Sequence, residues 1–303
     1  MEDAAEKIKE VVGDTTQTQS APLVKEDLEP EPTQTHLPSN NRGAQDVPYV
    51  PSGRLKNRRA LITGGDSGVG RAVAIQFAME GAIVVMVYLP SEEEDAMHTK
   101  AQVEKNGGEI MLIPCDLSHA TNCKDAVTRA TQALGGIDVL VNNAACRQQT
   151  GGIEDITEDQ WAVTFRTNID SYFHVTKYAL PHIPEGGAII NSASVDSYIG
   201  VPSRIDYATT KGAVIAFTRA LSNQLVKKGI RVNAVAAGPV WTPLVTTGVG
   251  EEGQGRGLGN WTPMNRLGQP SEVATSYVFL AGRESAFMSG QTLHPNGGIV
   301  VHG

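Results

Sequence analysis

Tyr207 and Lys211 lie at i and i+4 in the segment "DYATTKG", so they share one face of a predicted helix. A free tyrosine has a pKa of about 10 and is a poor base at neutral pH unless a nearby cation stabilises its phenolate. The ammonium group of Lys211 is placed to supply that cation, and it could also donate hydrogen bonds to a ribose. Because both residue types are common at helical spacing, a solvated helix face is the alternative interpretation of the pair by itself.

Ser194 and Asn168 are polar groups that could act with this pair. Ser194 ends the predicted strand "GAIINSAS", and ligand crevices of parallel sheets open at that end of the strands. Its hydroxyl could hold a substrate oxygen and stabilise developing charge, whereas the alternative is a turn residue. Asn168 interrupts an otherwise apolar predicted helix in "RTNIDSYFH", where a buried amide is costly without hydrogen-bond partners. A structural amide bonded to the backbone is the alternative.

The segment "TGGDSGVG", residues 63–70, is a glycine-rich loop between the apolar run "ALI" and the helix-like "RAVAIQFAMEG". Glycine lets the main chain turn sharply and bring its N–H groups close to a bound group. The start of a helix adds unpaired donors and a partial positive charge. Together they indicate a phosphate site, and a tight strand-to-helix turn is the alternative.

These groups must be positioned by a series of alternating strands and helices. The predicted strands are "RALIT", "IVVMVY", "EIMLIP", "DVLVNNA", "GAIINSAS", "IRVNAVAA" and "QTLHPNG", and the predicted helices lie near 68–80, 91–106, 119–134, 157–182, 207–228 and 271–282. Ser91 and Glu94 form a predicted capping box at the start of the second helix. Alternation with nearly continuous apolar strands indicates an α/β fold with a doubly wound parallel sheet. The glycine loop follows the first strand, where such sheets hold the phosphates of a dinucleotide.

Composition limits the classes of protein that the chain can belong to. It has 303 residues, 40% hydrophobic and 19% charged, and no apolar run approaches the ~20 residues that span a bilayer. The N-terminus "MEDAAEKIKE" lacks the features of a signal or transit peptide, so we expect a cytoplasmic protein. Three scattered cysteines predict reduced thiols, and no Cys/His spacing predicts a metal. The net charge of −8 argues against nucleic-acid and membrane partners.

The N-terminal part differs from the rest and carries most of the net negative charge. Its segment 15–51 is rich in Gln, Thr, Pro and Glu and buries too little apolar surface to offset its ordering entropy. We therefore predict a mostly disordered extension over residues 1–53 and a single catalytic domain over 54–303. A short helix over 3–12 and packing of "DVPYVPSGRL" on the core remain open alternatives.

Over residues 55–303 the chain resembles the short-chain dehydrogenase/reductase family. The resemblance rests on "TGGDSGVG", on "CDL" with Asp116, on "NNA" from Asn142, and on Asn168, Ser194, Tyr207 and Lys211 in the order and spacing of the family. It implies a seven-stranded Rossmann-type sheet, a homotetramer assembled through the long apolar helices, and catalysis by those last four residues.

The resemblance also implies a role for each site residue. Tyr207 exchanges a proton with the substrate oxygen, Ser194 fixes that oxygen, Lys211 tunes the tyrosine and binds the ribose, and Asn168 organises a proton-relay water. Asp116 meets the adenine, Asn142 the adenine-side ribose, and Thr242 the nicotinamide amide. The implied cofactor-binding set is Thr63, Gly64, Ser67, Gly68, Val69, Gly70, Asp116, Leu117, Asn142, Tyr207, Lys211, Val240 and Thr242.

Within the family, the chain is similar to the glucose and ribitol dehydrogenase homologues and to bacterial general-stress oxidoreductases. The segments "ITGGDSGVGRAVA", "IDYATTKGAVIAFTRALS" and "SGQTLHPNGG" carry this similarity, as does a proline-rich extension before "PSGRL". Ala145 stands where the family usually has glycine, and Ala237 where it usually has proline. Because neither belongs to the proton-transfer set, we expect altered loop fit with activity retained.

The end of the second predicted strand bears on the choice of cofactor. An acidic residue there would bond the ribose hydroxyls and repel a 2′-phosphate, but Tyr88, Leu89 and Pro90 occupy this position. Ser67 occupies a loop position where NADP-dependent relatives often carry a base. The sequence therefore favours NADP over NAD.

The polar residues near the predicted pocket suit a hydroxylated small-molecule substrate, such as a sugar or polyol. They are Arg147, Gln148, Gln149, Asp196, Tyr198, Arg204 and Asp206. The glycine-dense segment 240–263, with Trp241 and Trp261 near its ends, predicts a lid over the substrate, and an ungated surface loop is the alternative. A carbonyl reductase of specialised metabolism and a non-catalytic cofactor-binding scaffold remain the alternative functions.

Overall fold

The structure, a computed structural model, describes residues 28, 31–39, 45–246 and 262–301, with backbone only at 245 and 246. The predicted helix over 3–12, Trp261 and the central part of the predicted lid lie outside the described residues. None of the described helices is long and apolar enough to cross a membrane.

A seven-stranded, fully parallel sheet forms the centre of the molecule. Its strands are Arg59–Thr63 (β1), Ile83–Tyr88 (β2), Ile110–Pro114 (β3), Val139–Asn142 (β4), Ala188–Ser192 (β5), Arg231–Val235 (β6) and Thr292–Leu293 (β7). Their spatial order is β3-β2-β1-β4-β5-β6-β7. The order reverses between β1 and β4, and ligands bind at such switch points of doubly wound sheets. The predicted fold class is confirmed.

Helices cover both faces of this sheet. They are Gly68–Met79 (α1), Glu93–Lys105 (α2), Ala120–Leu134 (α3), Glu158–Phe165 (α4), Ser171–Ala179 (α5), Asp196–Ile199 (α6), Ile205–Leu225 (α7), Pro243–Thr246 (α8) and Pro270–Ala281 (α9). Alternate strand residues point to opposite faces. Ile62 packs in one core with α1 and α9, whereas Leu61 packs in the other with α3, α5 and α7.

Two predicted helix features are wrong in detail. The predicted helix 157–182 is divided by a π-helical turn at Arg166–Asp170, which carries Asn168. The predicted capping box at Ser91 is absent, because Pro90 begins a 3₁₀ turn, Pro90–Glu92, and α2 starts only at Glu93 without a side-chain cap. Proline favours the first position of a helical turn, and here it moves the helix start by two residues.

The described part of the N-terminal extension packs on α1 and α9. The pairs His36–Leu37 and Val47–Pro48 form a small antiparallel ribbon. The Tyr49 hydroxyl and the Ser52 and Arg54 amides donate to the buried carboxylate of Glu80, just after α1. Within "DVPYVPSGRL", Leu55 is buried in the core and Tyr49 is half-buried, whereas Val47 and Val50 are exposed, so the alternative in which this segment packs on the core holds only for Tyr49 and Leu55.

Candidate active site

A cleft of about 780 Å³ opens at the carboxyl ends of the central strands. Its walls come from the glycine loop after β1, the ends of β2 and β3, the loops after β4, β5 and β6, and the first turns of α7. Residues from both halves of the sheet line this cleft, with the glycine loop in one wall and Ser194 and Tyr207 in another.

The backbone of the glycine loop is packed too closely for side chains. Gly64 and Gly68 have φ of +61° and +50°, in the left-handed region that glycine occupies without steric cost. A Cβ on Gly70 would lie 1.9 Å from the carbonyl oxygen of Gly64. Gly64, Ser67, Gly68, Val69 and Gly70 all line the cleft at the N-terminus of α1. Bare backbone at a helix start fits a phosphate group, as the sequence predicts.

Thr63 braces this loop from behind. Its hydroxyl oxygen accepts hydrogen bonds from the amides of Asn143 (2.9 Å) and Ala144 (3.1 Å). Thr63 is buried and does not line the cleft. The prediction that Thr63 binds the cofactor directly is therefore corrected. Thr63 supports the glycine loop instead, because its hydroxyl is turned towards the loop after β4.

Asn142 is also placed differently from the sequence prediction. It is fully buried, and its amide donates to Thr176 Oγ1 (3.0 Å) and Asn191 Oδ1 (2.9 Å). The neighbouring Asn143 lines the cleft and donates to the Gly64 carbonyl at 2.7 Å. Successive strand residues face opposite sides, so the predicted ribose contact fits Asn143 and not Asn142.

The end of β2 and the loop after β3 form the predicted adenine end. Asp116 and Leu117 line the cleft there, in agreement with their predicted positions, and Asp116 accepts from the Ser118 amide at 2.9 Å. Tyr88 also lines the cleft, with its hydroxyl donating to Glu93. Sequence reasoning missed Glu92, a half-buried carboxylate in the same wall. The acidic run directly after β2 was the signal that could have found it.

Ser194 and Tyr207 meet in the cleft wall. Both are at least nine-tenths buried and line the cleft, and the Ser194 hydroxyl acts to lower the pKa of the Tyr207 phenol. The Ser194 oxygen also accepts from the Asp196 amide at 3.1 Å, which fixes its orientation. Ser194 is held by the loop after β5 and Tyr207 by the first turn of α7. The predicted pair therefore shares a single substrate position.

The pKa of the Tyr207 phenol is raised. Burial is the main cause and the Asp196 carboxylate adds to it, whereas Arg147, the hydrogen bond from Ser194, and Arg204 act in the opposite direction. Tyr207 is therefore protonated at neutral pH and able to donate.

Lys211 lies below the Tyr207 ring, and its predicted role of tuning the pKa of that tyrosine stays a prediction. Its Nζ donates to the Ser192 carbonyl at 2.7 Å and lies 5.6 Å from the centroid of the Tyr207 ring. Burial lowers the pKa of Lys211 to about 7. Arg147 and Arg204 are cations that oppose the rise in the pKa of Tyr207. The Ser192 carbonyl holds the ammonium group of Lys211 below the ring.

Asn168 lies behind the cleft wall. Its Oδ1 accepts from the Cys146 amide (2.8 Å), and its Nδ2 donates to the Cys146 carbonyl (2.9 Å) and to Thr210 Oγ1 (3.2 Å). The side chain thus connects the π-helical turn to the β4 loop and to α7. With its amide used in this way, Asn168 positions the β4 loop against α7, and its role in a proton relay stays a prediction.

The predicted nicotinamide end is formed by the segment after β6. Val240 and Thr242 line the cleft as predicted, and a Cβ on Gly68 would lie 3.1 Å from Thr242 Cγ2. The backbone of the glycine loop therefore reaches this segment across the cleft.

The substrate end contains four of the seven polar residues that the sequence singles out. Arg147, Gln148, Asp196 and Arg204 line the cleft, whereas Gln149, Tyr198 and Asp206 do not. Asp206 is buried and accepts from Gln160 and Thr164 instead. In the described ranges, no group of three His, Cys, Asp or Glu side chains could hold a metal ion, and the three cysteines are free thiols.

Comparison with known proteins gives consistent matches. Residues 64–300 match a family model described as enoyl-(acyl carrier protein) reductase. The chain is 45% identical over 280 residues to a glucose and ribitol dehydrogenase of Daucus carota, covering 91% of this chain and 96% of the relative. It is 48% identical over 278 residues to an NADPH-dependent chloroplastic aldehyde reductase of Arabidopsis thaliana, covering 90% and 96%.

Solved structures agree with these matches. A short-chain dehydrogenase from Burkholderia cenocepacia in complex with NADP superposes with a TM-score of 0.75 at 31% identity, covering 81% of this chain and 98% of that one. The family match spans the glycine loop as well as Ser194 and Tyr207.

Proposed function

The chain belongs to the short-chain dehydrogenase/reductase family, and from this premise we propose that it interconverts an alcohol and a carbonyl on a polyhydroxylated small molecule, with NADP(H) as cofactor. The observation that carries the proposal is the placement of Ser194 and Tyr207 in the same cleft as the glycine loop. One end can hold a dinucleotide phosphate, and the other can hold and protonate a substrate oxygen.

The cofactor supplies hydride in the reductive direction and accepts it in the oxidative direction. The loop backbone at Gly64, Gly68 and Gly70 would hold its diphosphate at the N-terminus of α1, because a Cβ at these positions would collide with neighbouring protein atoms and distort the loop. Asn143 and Asp116 would face the adenosine half, and Val240 and Thr242 the nicotinamide half.

The remaining steps belong to side chains of this chain. The Ser194 hydroxyl orients the substrate oxygen, and Tyr207, kept protonated by burial, donates its proton as negative charge develops on that oxygen. Arg147 and Arg204 stabilise the phenolate that remains, since both oppose the rise in the pKa of Tyr207 that burial causes. Lys211 is placed below the ring for contact with a ribose.

NADP is proposed over NAD on two grounds. Ser67 lies in the loop wall where a 2′-phosphate could bind, and two similar proteins are described with NADPH or NADP. Glu92 acts in the opposite direction, because its carboxylate lines the adenine end and would repel a 2′-phosphate. A side-by-side kinetic comparison of NADPH and NADH tests the assignment, and a tenfold preference for NADH would overturn it.

Tyr207→Phe tests the assignment of the proton donor. The variant keeps the ring and loses only the hydroxyl, so we expect NADPH binding to persist while carbonyl reduction falls by about 10²- to 10⁴-fold. Nicotinamide absorbance across aldoses, polyols and aldehydes measures turnover, and protein fluorescence measures cofactor binding. Tyr178→Phe, outside the cleft, is the matched control. Activity that survives in Tyr207→Phe would show that another group donates the proton.

A further inference from the structure

Two buried guanidinium groups lie at the substrate end of the cleft. Arg147 and Arg204 are 7% and 8% exposed, and both line the cleft beside Ser194 and Tyr207. Both charges also oppose the rise in the pKa of the Tyr207 phenol. Arginine is rarely buried unless it has a charged partner.

A carboxylate pairs with one of these two cations. Arg204 Nη1 lies 2.8 Å from Asp196 Oδ2, and both side chains are buried. Arg147 donates to the backbone carbonyl of Leu244. Among the side chains that the structure describes, Asp196 is the one acid that forms an ion pair with either arginine. This end of the cleft therefore carries an excess positive charge.

Donor groups are in excess as well. A guanidinium has five N–H donors. The Nε of Arg204 is enclosed and has no hydrogen-bond partner in the described part of the chain. Burial and the neighbouring Arg204 lower the pKa of Arg147 to about 10, so it stays charged at neutral pH. Buried donors and charges without partners are unfavourable, and a ligand anion would relieve both.

We propose that Arg147 and Arg204 bind an anionic group of the substrate, a carboxylate or a phosphate, while its carbonyl carbon lies at Ser194 and Tyr207. This inference rests on the proposed function and narrows its substrate class from neutral polyols to anionic carbonyl compounds and the corresponding hydroxy acids or sugar phosphates. The planar fork of arginine matches both oxyanions, so the geometry selects the charge and leaves the choice between the two groups to experiment.

Matched substrate pairs test the inference on the whole chain with saturating NADPH. Butanal is compared with succinic semialdehyde, which adds a carboxylate, and glyceraldehyde with glyceraldehyde 3-phosphate, which adds a phosphate. We expect kcat/KM to be at least about tenfold higher for the anionic member of at least one pair, as charge-assisted hydrogen bonds provide. Whichever pair shows the preference identifies the group. Equal values within both pairs would overturn the inference.

Arginine variants assign the preference to its residues. Arg147→Gln should reduce the ratio of anionic to neutral kcat/KM towards one, and Arg147→Lys should retain part of it because the charge remains. The matched control is Arg283→Gln, for which the ratio should not change. Arg283 is exposed and lies near the start of β6, at the amino-terminal ends of the strands and away from the cleft. An equal loss for both members, or weaker NADPH binding in Arg147→Gln, would show that Arg147 supports the fold or the cofactor instead.

A binding measurement on the unmutated protein decides the question even if a variant fails to fold. Succinate and inorganic phosphate are titrated into the NADPH complex by calorimetry and as inhibitors of butanal reduction. Competitive inhibition by either anion supports the site, and the absence of binding by both at millimolar concentration contradicts it. If butanal reduction is lost in Tyr207→Phe while anions neither bind nor compete, the proposed function stands and the anion site alone is refuted.

Discussion

Burial acts on the two groups of the Tyr207–Lys211 pair in opposite directions. It raises the pKa of the phenol and lowers that of the ammonium group to about 7, because in each case it disfavours the charged form. The phenol is therefore suited to donate a proton. The nearby guanidinium groups of Arg147 and Arg204 oppose its rise in pKa.

The lowered pKa of Lys211 predicts a pH-dependent stability. In the unfolded chain its pKa returns to 10.5, so between pH 7 and 10.5 the unfolded state binds more protons and the stability of the parent rises with pH. Compared with Lys211→Met, the buried charge reduces the free energy of unfolding of the parent most strongly below pH 7. Above pH 7 this reduction becomes smaller by at most about 1.4 kcal/mol per pH unit. Urea unfolding of both proteins across this range measures the difference in free energy, and a constant difference would contradict the prediction.

Glu92 predicts a change in cofactor preference. Removing its charge in Glu92→Gln removes repulsion at the adenine end, so we expect kcat/KM for NADPH relative to NADH to rise by roughly three- to tenfold, the effect of one half-buried charge. Steady-state kinetics with both cofactors measure the ratio. Glu94→Gln, an exposed neighbour on α2 outside the cleft, is the control. An unchanged ratio in Glu92→Gln would place the 2′-position elsewhere.

The connection from β1 to α1 is the element on which cofactor binding depends. Its glycines allow the carbonyl of Gly64 to lie against Gly70 and receive the Asn143 amide. This ties the phosphate loop to the end of β4. The π-helical turn at Arg166–Asp170 has a similar positioning role, because it aims Asn168 at the β4 loop and α7.

Gly70→Ala tests this element. The new Cβ would lie 1.9 Å from the Gly64 oxygen and 2.5 Å from Asn143 Nδ2, so the loop must shift. We expect NADPH binding to weaken by at least about tenfold, with a lower Tm. Gly212→Ala on α7 is the matched control, since its Cβ would have no atom within 4 Å. The helix propensity of alanine should there add up to about 1 kcal/mol of stability. Equal behaviour of the two variants would remove the argument for a close-packed phosphate loop.

The outer surface of α4 and α5 bears on the assembly of the whole molecule. Trp161 and Phe173 are 39% and 46% exposed, and large apolar groups on one surface are typical of interfaces. The family resemblance implies a homotetramer through the long helices. We propose that this surface is buried between copies of the chain.

Sedimentation equilibrium tests the proposed assembly. We expect the mass of a homotetramer for the parent, and a shift towards smaller species in Phe173→Asp, because a carboxylate in an apolar interface has no partner there. Met97→Asp is the control, a similarly exposed residue on α2. A monomeric parent would refute the proposal, and an unchanged tetramer in Phe173→Asp would move the interface away from α5.

Local pattern was sufficient to determine the class of protein. Apolar strands alternating with helices predicted the doubly wound sheet, and the i, i+4 spacing placed Tyr207 and Lys211 on one helix face, because both signals depend only on neighbours in the chain. The glycine loop was equally local. Reasoning from the sequence alone therefore predicted the sheet, the shared helix face and the glycine loop.

Tertiary structure decided where side chains point and which distant groups meet. It turned Asn142 into the sheet and Asn143 into the cleft, and it directed the Lys211 ammonium group to the Ser192 carbonyl. It also brought Arg147, from the loop after β4, into the cleft that Tyr207 lines. No spacing rule relates residues so distant in the chain, since their approach depends on strand order and on packing across the sheet. The fold was therefore readable from the sequence, whereas the charge around the reacting oxygen became visible only once the chain was folded.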